Sequence, residues 1–143
     1  MTELSAAARV LGVETPAHPL VSDVEYLRLI ARGFPIKALD RIAEEVAPGD
    51  VKFKYRIVPK ASYARSKVTR RLSAAQSVVV TRIAAVWAQA VRIWKSEEAA
   101  RSFLGRPHPV LGNRKPIDLV LENEIGADLV RSVLGRLESG SAV

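Results

Sequence analysis

"VKFKYRIV", residues 51–58, decides the fold. Apolar Val51, Phe53, Tyr55 and Ile57 alternate with basic Lys52, Lys54 and Arg56, which is the two-residue period of a half-buried strand. No other stretch of the chain offers a strand to pair with it. A lone strand leaves its backbone N–H and C=O groups unmatched unless it pairs with a second copy. The alternation by itself favours a strand and the want of a partner favours a helix, so both remain open for 51–57. A helix is the working expectation, and with it an all-α fold.

The charge of the chain is concentrated around this stretch. From Asp50 to Arg71 there are eight basic residues against the one acidic Asp50, so the whole formal net charge of +7 lies within these 22 residues. A field focused in this way steers phosphate association, because local potential matters more than total charge. A basic face that merely keeps the protein in solution is the plainer alternative. After Pro116 the sign reverses: Asp118, Glu122, Glu124, Asp128 and Glu138 face only Arg131 and Arg136.

Moving outward on the C-terminal side, "VPKASYARSK" sets Pro59 at the start of a short helix rich in groups that contact phosphates and base edges: Lys60, Ser62, Tyr63, Arg65, Ser66 and Lys67. Ser73 and Gln76 then stand at capping-box spacing and open the longest helix, 74 to about 95. Val79, Val80, Ile83, Val86, Trp87, Ala90, Val91 and Trp94 cover most of its circumference. A helix apolar this far round is central, crossing a domain or lining a dimer interface. "SEEAARSFLG" has Ser96 as N-cap and Gly105 as its stop. "HPVLGNRKPIDLVL", 108–121, is a bend with two prolines and a glycine that leads into a short helix from Pro116. In "GADLVRSVLGRLESG", Leu129, Val130, Val133, Leu134 and Leu137 stripe one face.

On the N-terminal side, "PIKALDRIAEEV" puts Ile36, Leu39, Ile42 and Val46 at core spacing. "SDVEYLRLIARG" offers Ser22 or Asp23 as cap and Gly33 as stop. Residues 1–20 show no sustained periodicity and are expected to be a flexible arm.

Composition narrows the function. The 143 residues are 48% hydrophobic, enough for one core or two small helical ones. There is no cysteine, no basic-then-apolar leader and no apolar run of about 18 residues, so a cytoplasmic protein without a membrane partner is expected. The two histidines, His18 and His108, are 90 positions apart, which is not metal-site spacing. No phosphate-binding glycine loop and no nucleophile elbow occurs. Asp118 and Glu122 are four apart, but solvation explains carboxylates on a charged helix face. An enzyme, a cofactor and a metal are therefore not expected.

The stretches "GFPIKALDRIAEEV", "IVPKASYARSK", "RRLSAAQS", "SEEAARSFLGRPHPVLGNRKPIDLV" and "GADLVRSVLGRLESG" together resemble the Xre/MbcA/ParS-like antitoxins, partners of RES-domain toxins, over about residues 33–140. Pro109, Leu111, Gly112, Arg114 and Pro116 match the P-x-x-L-G-x-R-x-P pattern with a one-residue offset at its start. The resemblance implies an Xre-like helix-turn-helix domain for DNA binding and dimerisation at 21–95 and a small helical toxin-binding domain at 96–143, sharing the long central helix. It implies a type II antitoxin that covers the active site of an NAD-consuming or ADP-ribosylating toxin and represses its own operon. A stand-alone regulator without a toxin is the alternative. DNA contacts would come from Lys60, Ser62, Tyr63, Arg65, Ser66 and Lys67, with Arg70 and Arg71 on phosphates. The stiffened bend would present Asn113, Arg114, Lys115 and Pro116 to the toxin, with Arg131, Arg136 and Glu138 completing that side. Trp87, Val91 and Trp94 would supply the surface of a homodimer. The sequence departs from the family pattern in two places: "VKFKYRIV" stands where the first helix of the helix-turn-helix belongs, and Arg70 stands where a glycine is common.

Overall fold

The computed structural model describes residues 3–14, 17, 19 and 22–140. His18 lies outside them. Nine α-helices run in order among the described residues: α1 (Glu3–Leu11), α2 (Asp23–Arg32), α3 (Lys37–Val46), α4 (Lys54–Ile57), α5 (Lys60–Thr69), α6 (Ala74–Trp94), α7 (Glu97–Gly105), α8 (Pro116–Glu122) and α9 (Glu124–Glu138). A 3-10 turn, Pro109–Leu111, lies between α7 and α8, and the described residues contain no strand, only two isolated β-bridges. The fold is all-α, as expected. It divides into two compact units, Met1–Ala85 and Val86–Val143, so the boundary falls inside the long helix and not at its end near residue 95.

The ambiguous stretch is helical. The Asp50 carboxylate accepts from the Lys52 N–H (3.0 Å) and its carbonyl from the Phe53 N–H (3.3 Å), which starts a turn that α4 continues. The alternation misleads because only part of it is structural: Phe53 and Val58 are buried, whereas Val51 is 77% exposed. Two inward residues an odd number of positions apart cannot share one face of a strand.

In the first unit, Ser22 caps α2 by accepting from the Glu25 N–H (3.2 Å), and Gly33 ends it at φ 85°. Leu39, Ile42 and Val46 of α3 are buried as expected. Residues 3–11 correct the expectation of a flexible arm, since they form a helix that packs on α3 and buries Ala7, Ala8 and Leu11. The signal was faint because alanine carries little hydrophobic weight, although it suits close helix contact. The Tyr26 hydroxyl shares a 2.7 Å hydrogen bond with Thr81, and its ring meets Phe34 edge-on at 5.5 Å between centroids. Burial pushes the Tyr26 phenol up to about 12, with the Thr81 hydrogen bond acting the other way.

Two chain links are pinned to each other in this unit. The Leu72 N–H donates to the Phe34 carbonyl (2.8 Å), the Ile36 N–H to the Arg70 carbonyl (3.1 Å), and the Phe34 N–H to Ser77 Oγ (2.9 Å). Gly33 permits this approach, because a Cβ there would collide with the Leu72 carbonyl oxygen. Ser73 and Gln76 form the expected reciprocal cap of α6: the Gln76 N–H donates to Ser73 Oγ (3.0 Å) and the Ser73 N–H to Gln76 Oε1 (2.8 Å).

In the second unit Trp87, Ala90, Phe103, Leu104, Val120, Val130, Val133 and Leu134 form the core. Ser96 caps α7 by accepting from the Ala99 N–H, and Asn123 caps α9 by accepting from the Gly126 N–H. Gly126 lets α9 meet α8 closely, since a Cβ there would strike the Leu119 carbonyl. By length and composition α6 could cross a membrane, but half of the qualifying window is buried, as in the core helix of a folded domain.

Candidate functional site

Each unit carries a surface to which the sequence assigns a partner. In the first, Lys60, Arg65 and Lys67 of α5 are exposed, as are Arg70 and Arg71 just beyond it. Ser62 is half-buried and accepts from the Arg65 guanidinium (3.3 Å). Tyr63 and Ser66 are buried by contrast, although Ser66 still lines the cleft beside α5. The Tyr63 hydroxyl donates to Asp40 Oδ1 (3.2 Å) and accepts from Lys54 Nζ (3.2 Å). That hydrogen bond holds the Lys54 ammonium above its ordinary value, helped by the charge of Asp40 at 3.9 Å and opposed by desolvation. Tyr63 therefore anchors α5 to α3 and α4, leaving its charged residues outward.

Arg70 takes the left-handed conformation, φ 62° and ψ 19°. The turn after α5 needs positive φ, which glycine adopts most readily. Arg71 donates from Nη1 to the Gly33 carbonyl (2.9 Å), so its side chain is partly committed to fixing the turn. Between α5 and the start of α6 lies an open cleft of about 370 Å³ lined by Ser62, Arg65, Thr69, Arg71, Ser73 and Gln76. Two guanidiniums beside hydroxyl groups are suited to binding an anion. Thr69 was not singled out in the sequence and Ser73 only as a helix cap, because only the turn at Arg70 folds them back beside Arg65.

In the second unit the bend at 108–114 is closed by its own backbone. The His108 N–H donates to the Arg114 carbonyl (3.1 Å), the Asn113 and Leu111 N–H groups to the His108 carbonyl (2.9 and 3.0 Å), and the Arg114 N–H to the Leu111 carbonyl (3.2 Å). His108 Nδ1 accepts from the Val110 N–H (3.2 Å). Gly112 and Asn113 both have positive φ. These hydrogen bonds, more than the prolines, stiffen the bend. Asn113, Arg114 and Lys115 are exposed at its tip, but Pro116 is buried as the first residue of α8 and is not a contact. Arg114 pairs with Glu122 at 2.9 Å, and Glu138 pairs with Arg92 at 3.1 Å. Both remain on the surface, where such pairs exchange readily for a partner's groups.

Arg131 is half-buried and Arg136 exposed; five residues apart, they lie on different faces of α9. The outer face of α9 is instead Ile125, Asp128, Leu129, Ser132 and Arg136, with Ile125 72% and Leu129 51% exposed. Leu129 thus leaves the expected core stripe. A groove of about 410 Å³ is lined by Trp94, Ser102, Phe103, Arg106, His108 and Leu137. Trp94 is 40% exposed against Phe103, but Trp87 is 3% exposed under the Arg101 guanidinium and offers nothing to a dimer. Val91 is half-buried. Among the described residues, no three His, Asp or Glu side chains come together as a metal site.

Residues 89–140, the stretch that holds the bend, the groove and α9, match the family model of the antitoxin Xre/MbcA/ParS C-terminal toxin-binding domain. This part of the chain is similar to the toxin-binding domain of the Xre/MbcA/ParS antitoxins. The matched stretch begins in α6, close to the start of the second unit at Val86. The match supports an antitoxin role in a toxin–antitoxin system, with a toxin as partner. A comparison with curated proteins finds no significant match.

Proposed function

We propose that the protein is the antitoxin of a type II system that neutralises a RES-domain toxin through its toxin-binding domain and represses its own operon through the basic first unit, working in the cytoplasm. The family match over residues 89–140 carries this reading. Within that domain the rigid tip, Asn113, Arg114 and Lys115, and the outer face of α9 through Arg136 have the exposure that covering another protein's active site requires. The apolar pair Ile125 and Leu129 supplies the buried centre of such an interface, and Asp128, Ser132 and Arg136 its polar rim. DNA binding is supported by the exposed Lys60, Arg65, Lys67, Arg70 and Arg71, of which Arg65 and Arg71 line one cleft. A RES-type toxin, whose substrate is NAD, is the partner that the sequence resemblance implies.

The test is growth rescue. Co-expressed with a RES-domain protein encoded beside it, the wild-type chain is expected to restore growth and to co-purify with the toxin. A chain with Ile125→Asp and Leu129→Asp is expected to do neither while keeping its helical content. Rescue that survives both these changes and the removal of the charges of Arg114 and Lys115 would remove this surface from the account. Growth arrest with the wild-type chain present would remove the toxin assignment.

A further inference from the structure

The cleft between α5 and the start of α6 is lined by donors whose charge nothing nearby balances. Arg65 and Arg71 are its charged side chains, and no carboxylate lines it. Among the described residues neither guanidinium forms an ion pair, whereas Arg92, Arg101 and Arg114 each pair with a glutamate. Both are nevertheless held in place. Arg65 Nη2 donates to Ser62 Oγ (3.3 Å) and Arg71 Nη1 to the Gly33 carbonyl (2.9 Å), which leaves most of the five N–H donors on each guanidinium for another group. The acceptor on the opposite wall is already used: Gln76 Oε1 takes the Ser73 N–H (2.8 Å) and the Ser66 hydroxyl (3.5 Å), so the amide has its NH2 to offer. Ser73 Oγ accepts from the Gln76 N–H (3.0 Å) and keeps its own proton to donate.

A concave site with two fixed positive charges and further donors selects an anion that has several acceptor oxygens. Charge decides which anion. A DNA backbone phosphate is a diester with one negative charge, whereas a phosphate monoester carries close to two at neutral pH and has three terminal oxygens. Two guanidiniums balance the monoester and leave one charge over with the diester. Size agrees, since about 370 Å³ lies within the range of small-molecule pockets, roughly 300–1,000 Å³, and leaves room for an organic group behind the phosphoryl group. We infer that this cleft binds a small phosphate monoester, such as a mononucleotide or a sugar phosphate, between Arg65 and Arg71. Both arginines also belong to the proposed DNA surface, so an ester seated there withdraws them from the DNA and weakens operator binding. That regulatory step rests on the proposed operator binding; the binding of the ester does not.

The test titrates the full, isotope-labelled chain at pH 8 with methyl phosphate, a monoester, and with dimethyl phosphate, a diester, at one ionic strength. Methyl phosphate is expected to shift the backbone amides of Ser73 to Gln76 and the side-chain signals of Arg65 and Arg71 saturably. Dimethyl phosphate is expected to bind roughly tenfold more weakly, the loss of about one hydrogen bond to a charged group. Arg65→Gln is expected to weaken methyl phosphate by a similar factor with its unfolding transition unchanged, because Arg65 is exposed. Lys52→Gln, which removes an exposed charge of the same basic stretch outside the cleft, is expected to leave it unchanged. In fluorescence anisotropy, a saturating level of methyl phosphate is expected to weaken binding to promoter DNA beyond the effect of sodium chloride at the same ionic strength. Shifts that never saturate, equal affinity for the diester, or an equal loss in Lys52→Gln would each overturn the site. Promoter affinity unmoved by the saturating ester would overturn its regulatory role. A chain that binds no promoter DNA under any condition would remove the operator reading and that role together, while the titrations still decide the cleft.

Discussion

Arg70 shows what a single backbone angle does. Its φ of 62° lies in the left-handed region, which an L side chain occupies at a cost of roughly 1 kcal/mol relative to glycine. Arg70→Gly is therefore expected to raise unfolding stability by about 0.5–1 kcal/mol in urea denaturation while removing one positive charge from the basic surface. Gly33 is the opposite case. It combines φ 85° with the close approach of the Leu72 carbonyl, so Gly33→Ala must both strain the backbone and push the pinned links apart. A loss of about 2–4 kcal/mol is expected, read as a lower denaturation midpoint with an unchanged slope. The stop at Gly33 was legible in the sequence, as were the Ser73–Gln76 reciprocal cap and the Ser96 cap, because these rest on residues within four positions of one another. The burial of Tyr63, Ser66, Pro116 and Trp87 was not legible. Each depends on residues brought in from elsewhere: Tyr63, for one, bonds Asp40, 23 positions away.

At the scale of elements, the Tyr26–Thr81 hydrogen bond ties α2 to α6 across the core and makes stability depend on pH. The phenol ionises near 10 when unfolded and near 12 when folded, so the unfolded chain releases its proton first. Stability is full below pH 10 and falls as pH rises towards 12, by about 2–3 kcal/mol at most for this group. Denaturant midpoints measured from pH 9 to 12 are expected to fall more steeply in wild type than in Tyr26→Phe. Most helices could be read from apolar spacing, and α3 and α6 came within a residue or two of their expected limits. Residues 51–57 could not be, because alternation over so few positions cannot distinguish one helical turn from a strand. The helix at 3–11 was hidden by alanines, and Leu129 was misplaced because a stripe five residues wide does not reveal its own edge.

For the whole molecule the governing feature is the separation of charge along the chain. The entire net charge lies between Asp50 and Arg71, and most of its basic side chains remain exposed, with Arg65 and Arg71 lining one cleft. Affinity for promoter DNA is accordingly expected to fall steeply with salt. Neutralising Arg65, Lys67, Arg70 and Arg71 to glutamine is expected to flatten the slope of log affinity against log salt by about 0.9 for each side chain that sits on a phosphate. A slope unchanged by all four substitutions would exclude them as phosphate contacts. This polarity was plain in the sequence, as was the kinship of the C-terminal part, because both are carried by contiguous residues. The division into units inside α6 was not, since an unbroken helix carries no mark of where its burial changes hands.

The bend at 108–114 has a last consequence. Trypsin cleaves chains that can be drawn out straight in its cleft, and the Arg114–Lys115 bond, though fully at the surface, adjoins a loop that would first have to surrender its internal hydrogen bonds. An accessible site can thus be a durable one, and digestion of the native protein should spare this corner until the domain around it has come undone.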